Sequence, residues 1–211
     1  MNFFNANKAI KLSDTTCMSG GAAGSDTYWC NIGKEYNVKT KAFSYKTGYH
    51  NSNDKVEISD EDYNEGIKAV HKANKSLKRY GFEKYINLLA RNWAQVKYSD
   101  QIFAIGTIVE SGKKSTDGYY NKSKYQIVSG GTGWAVQMAV DNTKQVYVFD
   151  QKILKWFEWS FNTFKFKELL ECPIISKLNF AGIGTREITE DGINAIKNVY
   201  IKTSEKYDFN K

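Results

Sequence analysis

The sequence predicts an α/β protein: a Rossmann-like, doubly wound, mainly parallel sheet with helices on both faces. Three observations point there. Short apolar runs such as Gln101–Gly106 (QIFAIG) and residues 145–149 (QVYVF) have the unbroken hydrophobicity of strands buried on both sides. They alternate with longer stretches of helical periodicity, as a parallel sheet with crossover helices requires. Finally, three glycine-rich turns stand where a strand hands over to a helix. These are Ser19-Gly20-Gly21-Ala22-Ala23-Gly24, Ser129-Gly130-Gly131-Thr132-Gly133 and Gly182-Ile183-Gly184-Thr185-Arg186.

The elements follow in order. Residues 14–18 read as a short strand entering the first turn, and 25–36 as a helix with Tyr28, Trp29 and Ile32 on one face. Residues 38–45 suit a strand. Ser59 or Asp60 caps a helix carrying Tyr63, Ile67, Val70 and Leu77, which stops near Gly81. A second helix turns Ile86, Leu89, Trp93 and Val96 inward and ends around Arg91 and Asn92, just before the QIFAIG strand. The polar, Gly/Lys/Tyr-rich stretch 110–122 reads as a loop or lid. Residues 125–128 lead into the second turn, 132–140 form its helix, and 153–166 are a strand or extended segment. Residues 178–181 enter the third turn, and Thr189 caps a last helix with Ile193, Ile196, Val199 and Tyr200 inward.

With 211 residues and neither a linker nor a repeat of solenoid length, the chain reads as one domain, residues 1–211, with 178–206 completing the sheet. No apolar run of membrane-spanning length occurs, and the N-terminus lacks a signal-peptide core. Cys17, Cys30 and Cys172 are odd in number and lack metal-ligand spacing. They are expected to be reduced residues of a cytoplasmic protein with no metal site. The net charge of +7 comes from 30 basic residues, of which only Arg79, Arg91 and Arg186 are arginine. Scattered lysine lacks the bidentate fork used to read bases and phosphates, which argues against DNA as the partner.

A glycine turn that opens a helix aims backbone N–H groups and the positive end of the helix dipole outward, an arrangement suited to phosphate. Three such turns in one chain predict helix N-termini converging on a nucleotide-like ligand at the carboxyl ends of the strands.

The segments SGGAAGSD, RNWAQVKYSDQIFAIG, GGTGWAVQMA and FAGIGTRE together resemble the SLOG superfamily, over roughly residues 14–150 and 178–190. That group includes the Lonely Guy nucleotide phosphoribohydrolases, the DNA-processing SMF proteins and small bacteriophage proteins. The resemblance implies a nucleotide or nucleotide-derived ligand held by the turns. In that superfamily an element like residues 179–187 comes first; here it comes last. The chain therefore looks circularly permuted, or else exchanges this βα unit between protomers, and in either case the closing unit is expected beside the first strand.

The phosphoribohydrolase branch also carries a glutamate where this chain has Gln137. An amide hydrogen-bonds a ribose but does not accept a proton from water, so the expectation is binding without turnover. The candidate ligand-binding set is Ser19, Gly20, Gly21, Ala22, Asp26, Arg91, Asn92, Gly106, Thr107, Gly130, Gly131, Thr132, Gly133, Trp134, Gln137, Gly182, Gly184, Thr185, Arg186 and Glu187. The resemblance gives Arg91 and Asn92 contact to phosphate or ribose, with a surface ion pair as the alternative; Arg186 can clamp a phosphate bidentately, and Glu187 takes a ribose hydroxyl or pairs with Arg186. Asp26 caps its helix or accepts a ribose hydroxyl. Trp134 stacks on a base, on a neighbouring protomer or in the core, and Tyr119 and Tyr120 are lid candidates.

The expected function is sequestration of an ADP-ribose or cyclic ADP-ribose type signal by a cytoplasmic homodimer or larger homo-oligomer, with no cofactor. For a phage member this means an anti-defence sponge in the host cytoplasm. The alternative is a nucleotide N-glycosidase of Lonely Guy type using Glu187 or Glu110 as its base.

Overall fold

A computed structural model describes residues 10–47, 50, 52–115 and 118–208. In chain order the elements are β1 (Thr16–Ser19), α1 (Ser25–Glu35), β2 (Lys39–Ser44), β3 (Lys55–Glu57), α2 (Asp60–Leu77), α3 (Ile86–Lys97), β4 (Gln101–Gly106), β5 (Ile108–Val109), β6 (Ile127–Val128), α4 (Thr132–Asp141), β7 (Gln145–Asp150), β8 (Lys155–Ser160), β9 (Lys165–Glu168), β10 (Asn179–Gly184) and α5 (Glu190–Asp208).

Among the described residues, eight strands form one sheet in the order β3-β2-β1-β10-β4-β7-β8-β9. The first six run parallel, and β8 and β9 extend the sheet as antiparallel strands. The last strand in the chain therefore lies in the middle of the sheet. Thr16 of β1 pairs with Asn179, and on the other side Phe180 pairs with Gln101 of β4.

Strand alternation divides the core into two layers. Ile102 and Ala104 of β4 join Val70, Leu77, Leu89, Trp134 and Met138 beneath α2, α3 and α4. Phe103 and Ile105 face the other way, toward Trp29, Ile196, Val199 and Tyr200 of α1 and α5. Both faces are thus covered by helices, the doubly wound arrangement. Trp29 anchors the second layer: its ring centre lies 5.6 Å from that of Phe103 and 5.7 Å from that of Tyr200, and Tyr200 Oη donates to the Trp29 carbonyl at 2.8 Å. Full burial of one such aromatic ring stabilises the fold by about 1.5–3 kcal/mol.

The helix starts follow local chemistry. Ser59 Oγ accepts from the Asp62 N–H at 3.0 Å to cap α2, and Thr189 Oγ1 accepts from the Gly192 N–H at 3.1 Å at the start of α5. Asp26 does not cap α1, whose N-cap is Gly24 with no side-chain cap.

Four elements differ from expectation. The chain before β1 is a 3-10 turn at Leu12–Asp14, held by Thr15 Oγ1 donating to the Leu12 carbonyl, so the strand starts at Thr16. Lys55–Glu57 adds an edge strand whose charged KVE sequence carries no hydrophobic signal. Residues 153–166 resolve into most of a β8–β9 hairpin, with Trp156, Trp159 and Phe166 buried. Ile127–Val128 pairs antiparallel with Ile108–Val109 in a small ribbon outside the main sheet. No helix among the described residues is long and apolar enough to cross a membrane.

Candidate functional site

A cleft of about 970 Å³ opens at the carboxyl ends of the central strands. It draws Ala22 from the loop after β1, Thr185 to Glu187 from the loop after β10, Gly106 and Thr107 from the end of β4, and Gln151 and Lys152 from the end of β7. This is where ligands bind in open α/β sheets, because strand order reverses there and the loops diverge.

The three glycine turns differ in what they offer. The first is filled by the protein itself. A Cβ at Gly20 would overlap Arg91 Nη1 and Gln95 Nε2, one at Gly21 would enter the His50 ring, and Gly24 lies against the backbone of Arg186. With its amide oxygen turned inward, Gln95 accepts from the Gly20 N–H at 2.7 Å and from Arg91 Nη1 at 2.6 Å. Ser19 is buried, its hydroxyl donating to the Asp26 carbonyl. Of this turn only Ala22 lines the cleft. The expected open anion loop is instead a packed junction.

The second turn is open. Gly130 and Gly131 are exposed, and a Cβ at either meets nothing within 4 Å. Gly130 takes the left-handed conformation (φ +63°) and Gly131 the right-handed one (φ −61°), a pairing that aims successive N–H groups to one side. Among the described residues no group accepts from the N–H of Gly130, Gly131 or Thr132. The turn is braced by Arg79, which also lines the cleft and donates to the Val128 carbonyl at 2.6 Å and the Gly130 carbonyl at 2.5 Å. Gly133 is a packing position, since a Cβ there would overlap the Val128 carbonyl.

The third turn supplies Arg186. Its neighbours Thr185 and Glu187 also line the cleft, with Thr185 Oγ1 accepting from the Glu187 N–H at 3.3 Å. Arg186 is exposed and makes no ion pair with any described residue. Gly184 lines the cleft and gives Ser25 room, whereas Gly182 lies beneath the Trp29 ring, where a Cβ would overlap it. Gln151 ties this turn to β7: its Oε1 accepts from the Thr189 N–H at 2.7 Å and its Nε2 donates to the Glu187 carbonyl at 3.3 Å.

Arg91 is mid-helix in α3, not at its end, and is 7% exposed. Burial lowers its pKa, the Asp26 carboxylate raises it, and the nearby Arg186 charge lowers it again. Asp26, equally buried, has its pKa pushed up to about 6 by desolvation, against the Arg91 charge and the backbone N–H groups of Ala22, Gly184 and Gly20. Both line the cleft, as does the half-buried Asn92.

Several candidates have other occupations. Trp134 is 4% exposed and packs on Phe82 at 4.9 Å between ring centres, so it belongs to the core while also lining the cleft. Gln137 does not line the cleft; its Nε2 donates to Asp141 Oδ1 at 2.8 Å, one turn along α4. Tyr119 is anchored rather than free: its hydroxyl donates to the carbonyls of Leu77 and Lys78, and its ring lies 5.2 Å from the Arg79 guanidinium. Tyr120, exposed, pairs through Lys114 in a bridge outside the cleft. Glu110 lines a separate cavity of about 190 Å³ with Lys113 and Lys114. Among the described residues no group of three or more His, Cys, Asp or Glu side chains is placed to hold a metal ion.

Sequence reasoning missed the opposite wall. It is built by the connection between α2 and α3, with Tyr80, Phe82 and Tyr85, and by the first turn of α3, with Leu88 and Leu89. The only sequence signal was the density of tyrosine around Gly81. Comparison of the chain with protein-family models found no match, and comparisons with curated proteins and with solved structures gave no significant match either.

Proposed function

We propose that the cleft binds a small phosphorylated, nucleotide-derived ligand and releases it unchanged. The observation that carries this reading is the exposed turn at Gly130–Gly131, which has unpaired N–H groups and lines the same cleft as the exposed Arg186. Backbone amides at a helix N-terminus and a guanidinium are complementary to phosphate oxygens, and neither supports proton transfer. The SLOG resemblance adds the ligand class, ADP-ribose or its cyclic relatives, and with it a role in sequestering such a signal. Calorimetric titration of ADP-ribose into the protein tests this: one saturable site, lost in Gly131→Asp, supports it, and no heat of binding in the wild type refutes it.

One observation favours a second reading, an N-glycosidase. A cleft carboxyl with its pKa near 6, as at Asp26, is suited to general acid–base work. Its burial and its position against Gly20 beside Arg91 favour bracing of the turn instead. Release of free base that is lost in Asp26→Asn would establish the enzyme.

A further inference from the structure

The geometry points to a stacking platform for a flat, aromatic ring, a nucleobase, on the wall formed by Tyr80 and Tyr85. This inference rests on the reading of the cleft as a phosphate site and extends it to the rest of the ligand.

The wall is chemically unlike the rest of the cleft. Tyr80 is 80% exposed, Tyr85 55% and Leu88 40%, and all three line the cleft rather than the outer surface alone. Large apolar side chains left in water beside a cavity are the usual lining of a small-molecule site. A lysine ammonium lies 5.0 Å from each tyrosine ring centre, Lys122 at Tyr80 and Lys84 at Tyr85. These ammonium groups, of which Lys84 itself lines the cleft, bring positive charge beside the rings that suits an anionic ligand.

The platform is also fixed relative to the anion turn. Lys78 ends α2 in the left-handed conformation, and the next residue, Arg79, is held at both ends. Its N–H donates to Asn74 Oδ1 at 2.9 Å, and its guanidinium donates to the Val128 and Gly130 carbonyls. Tyr80 follows directly in the chain. A single residue thus joins the start of the aromatic wall to the turn whose N–H groups are unpaired. An inorganic anion alone would leave that wall wet. A mononucleotide, with its phosphate at Gly130–Gly131 and its base against Tyr80 and Tyr85, covers both.

The test compares ribose 5-phosphate, which carries only the anionic half, with adenosine monophosphate, titrated into wild type, Tyr80→Ala and Tyr85→Ala. The expected result is that the nucleotide binds wild type about 10- to 100-fold more tightly than the sugar phosphate. Each alanine variant should remove most of that ratio while melting at the wild-type temperature. If ribose 5-phosphate binds and the nucleotide binds no better, the platform is wrong while the phosphate site stands. If neither binds, both fail. If sedimentation instead shows self-association that the alanine variants abolish, the tyrosines form a contact between copies of the chain and the platform is overturned.

Discussion

Asp26 of α1 and Arg91 of α3 meet over Gly20, where a Cβ would overlap the guanidinium and come within 2.5 Å of Asp26 Oδ2. Only glycine lets these two buried charges approach the backbone of the first turn, and Gln95 completes the cluster.

The pKa of Asp26 makes this junction sensitive to pH. In the folded chain it is about 6, against 3.8 for the ordinary carboxyl, so the folded state keeps a proton that the unfolded chain gives up. Asp26's contribution is therefore most favourable below about pH 4, declines as pH rises toward 6 and is flat above, with a total change on the order of 1–3 kcal/mol. Carboxylates held below their ordinary pKa by lysine partners, among them Asp54 and Asp62, slope the opposite way, so the quantity to read is the difference between wild type and Asp26→Asn. Chemical denaturation at steps from pH 4 to 7.5 should show the variant gaining on wild type across pH 4–6. Parallel profiles would contradict the assignment.

Gly131→Asp should fold normally, because its φ of −61° suits any residue and its Cβ would meet open space. A carboxylate beside the unpaired N–H groups should weaken phosphate binding by at least about tenfold. Unchanged affinity in the folded variant would remove this turn from the site.

Gly182→Ala should do the reverse. A Cβ there would overlap the Trp29 ring, a rigid side chain packed on three other aromatic rings. Overpacking of this kind costs about 1–3 kcal/mol, read as a lower denaturation midpoint. A variant as stable as wild type would contradict the packing described.

Truncation after Ile175 should abolish folding. It removes β10 from between β1 and β4 together with Tyr200, whose hydrogen bond to Trp29 joins α5 to α1. Two sheet halves with newly exposed inner edges should aggregate. A soluble, cooperatively melting fragment would contradict the central position of β10.

The buried central strands and two of the helix starts were legible because their signals are local. The apolar runs of β4 and β7 and the hydroxyl caps at Ser59 and Thr189 need no knowledge of distant residues. Which glycine turn stays open was not legible. The first is closed by His50, Arg91 and Gln95, which reach it from other elements. Gln137 lies at helical spacing from the open turn, yet its amide is engaged by Asp141, and a spacing argument does not see a rotamer. The bracing role of Arg79 was not legible because it depends on carbonyls about fifty residues away.

Equilibrium dialysis against ADP-ribose, with chromatography of both chambers after several hours, decides whether the cleft binds such a phosphorylated ligand and leaves it intact. Ligand should accumulate with the protein toward one equivalent, and all of it should be recovered as ADP-ribose. Equal concentrations in the two chambers, or the appearance of adenine or a free sugar phosphate, would contradict it.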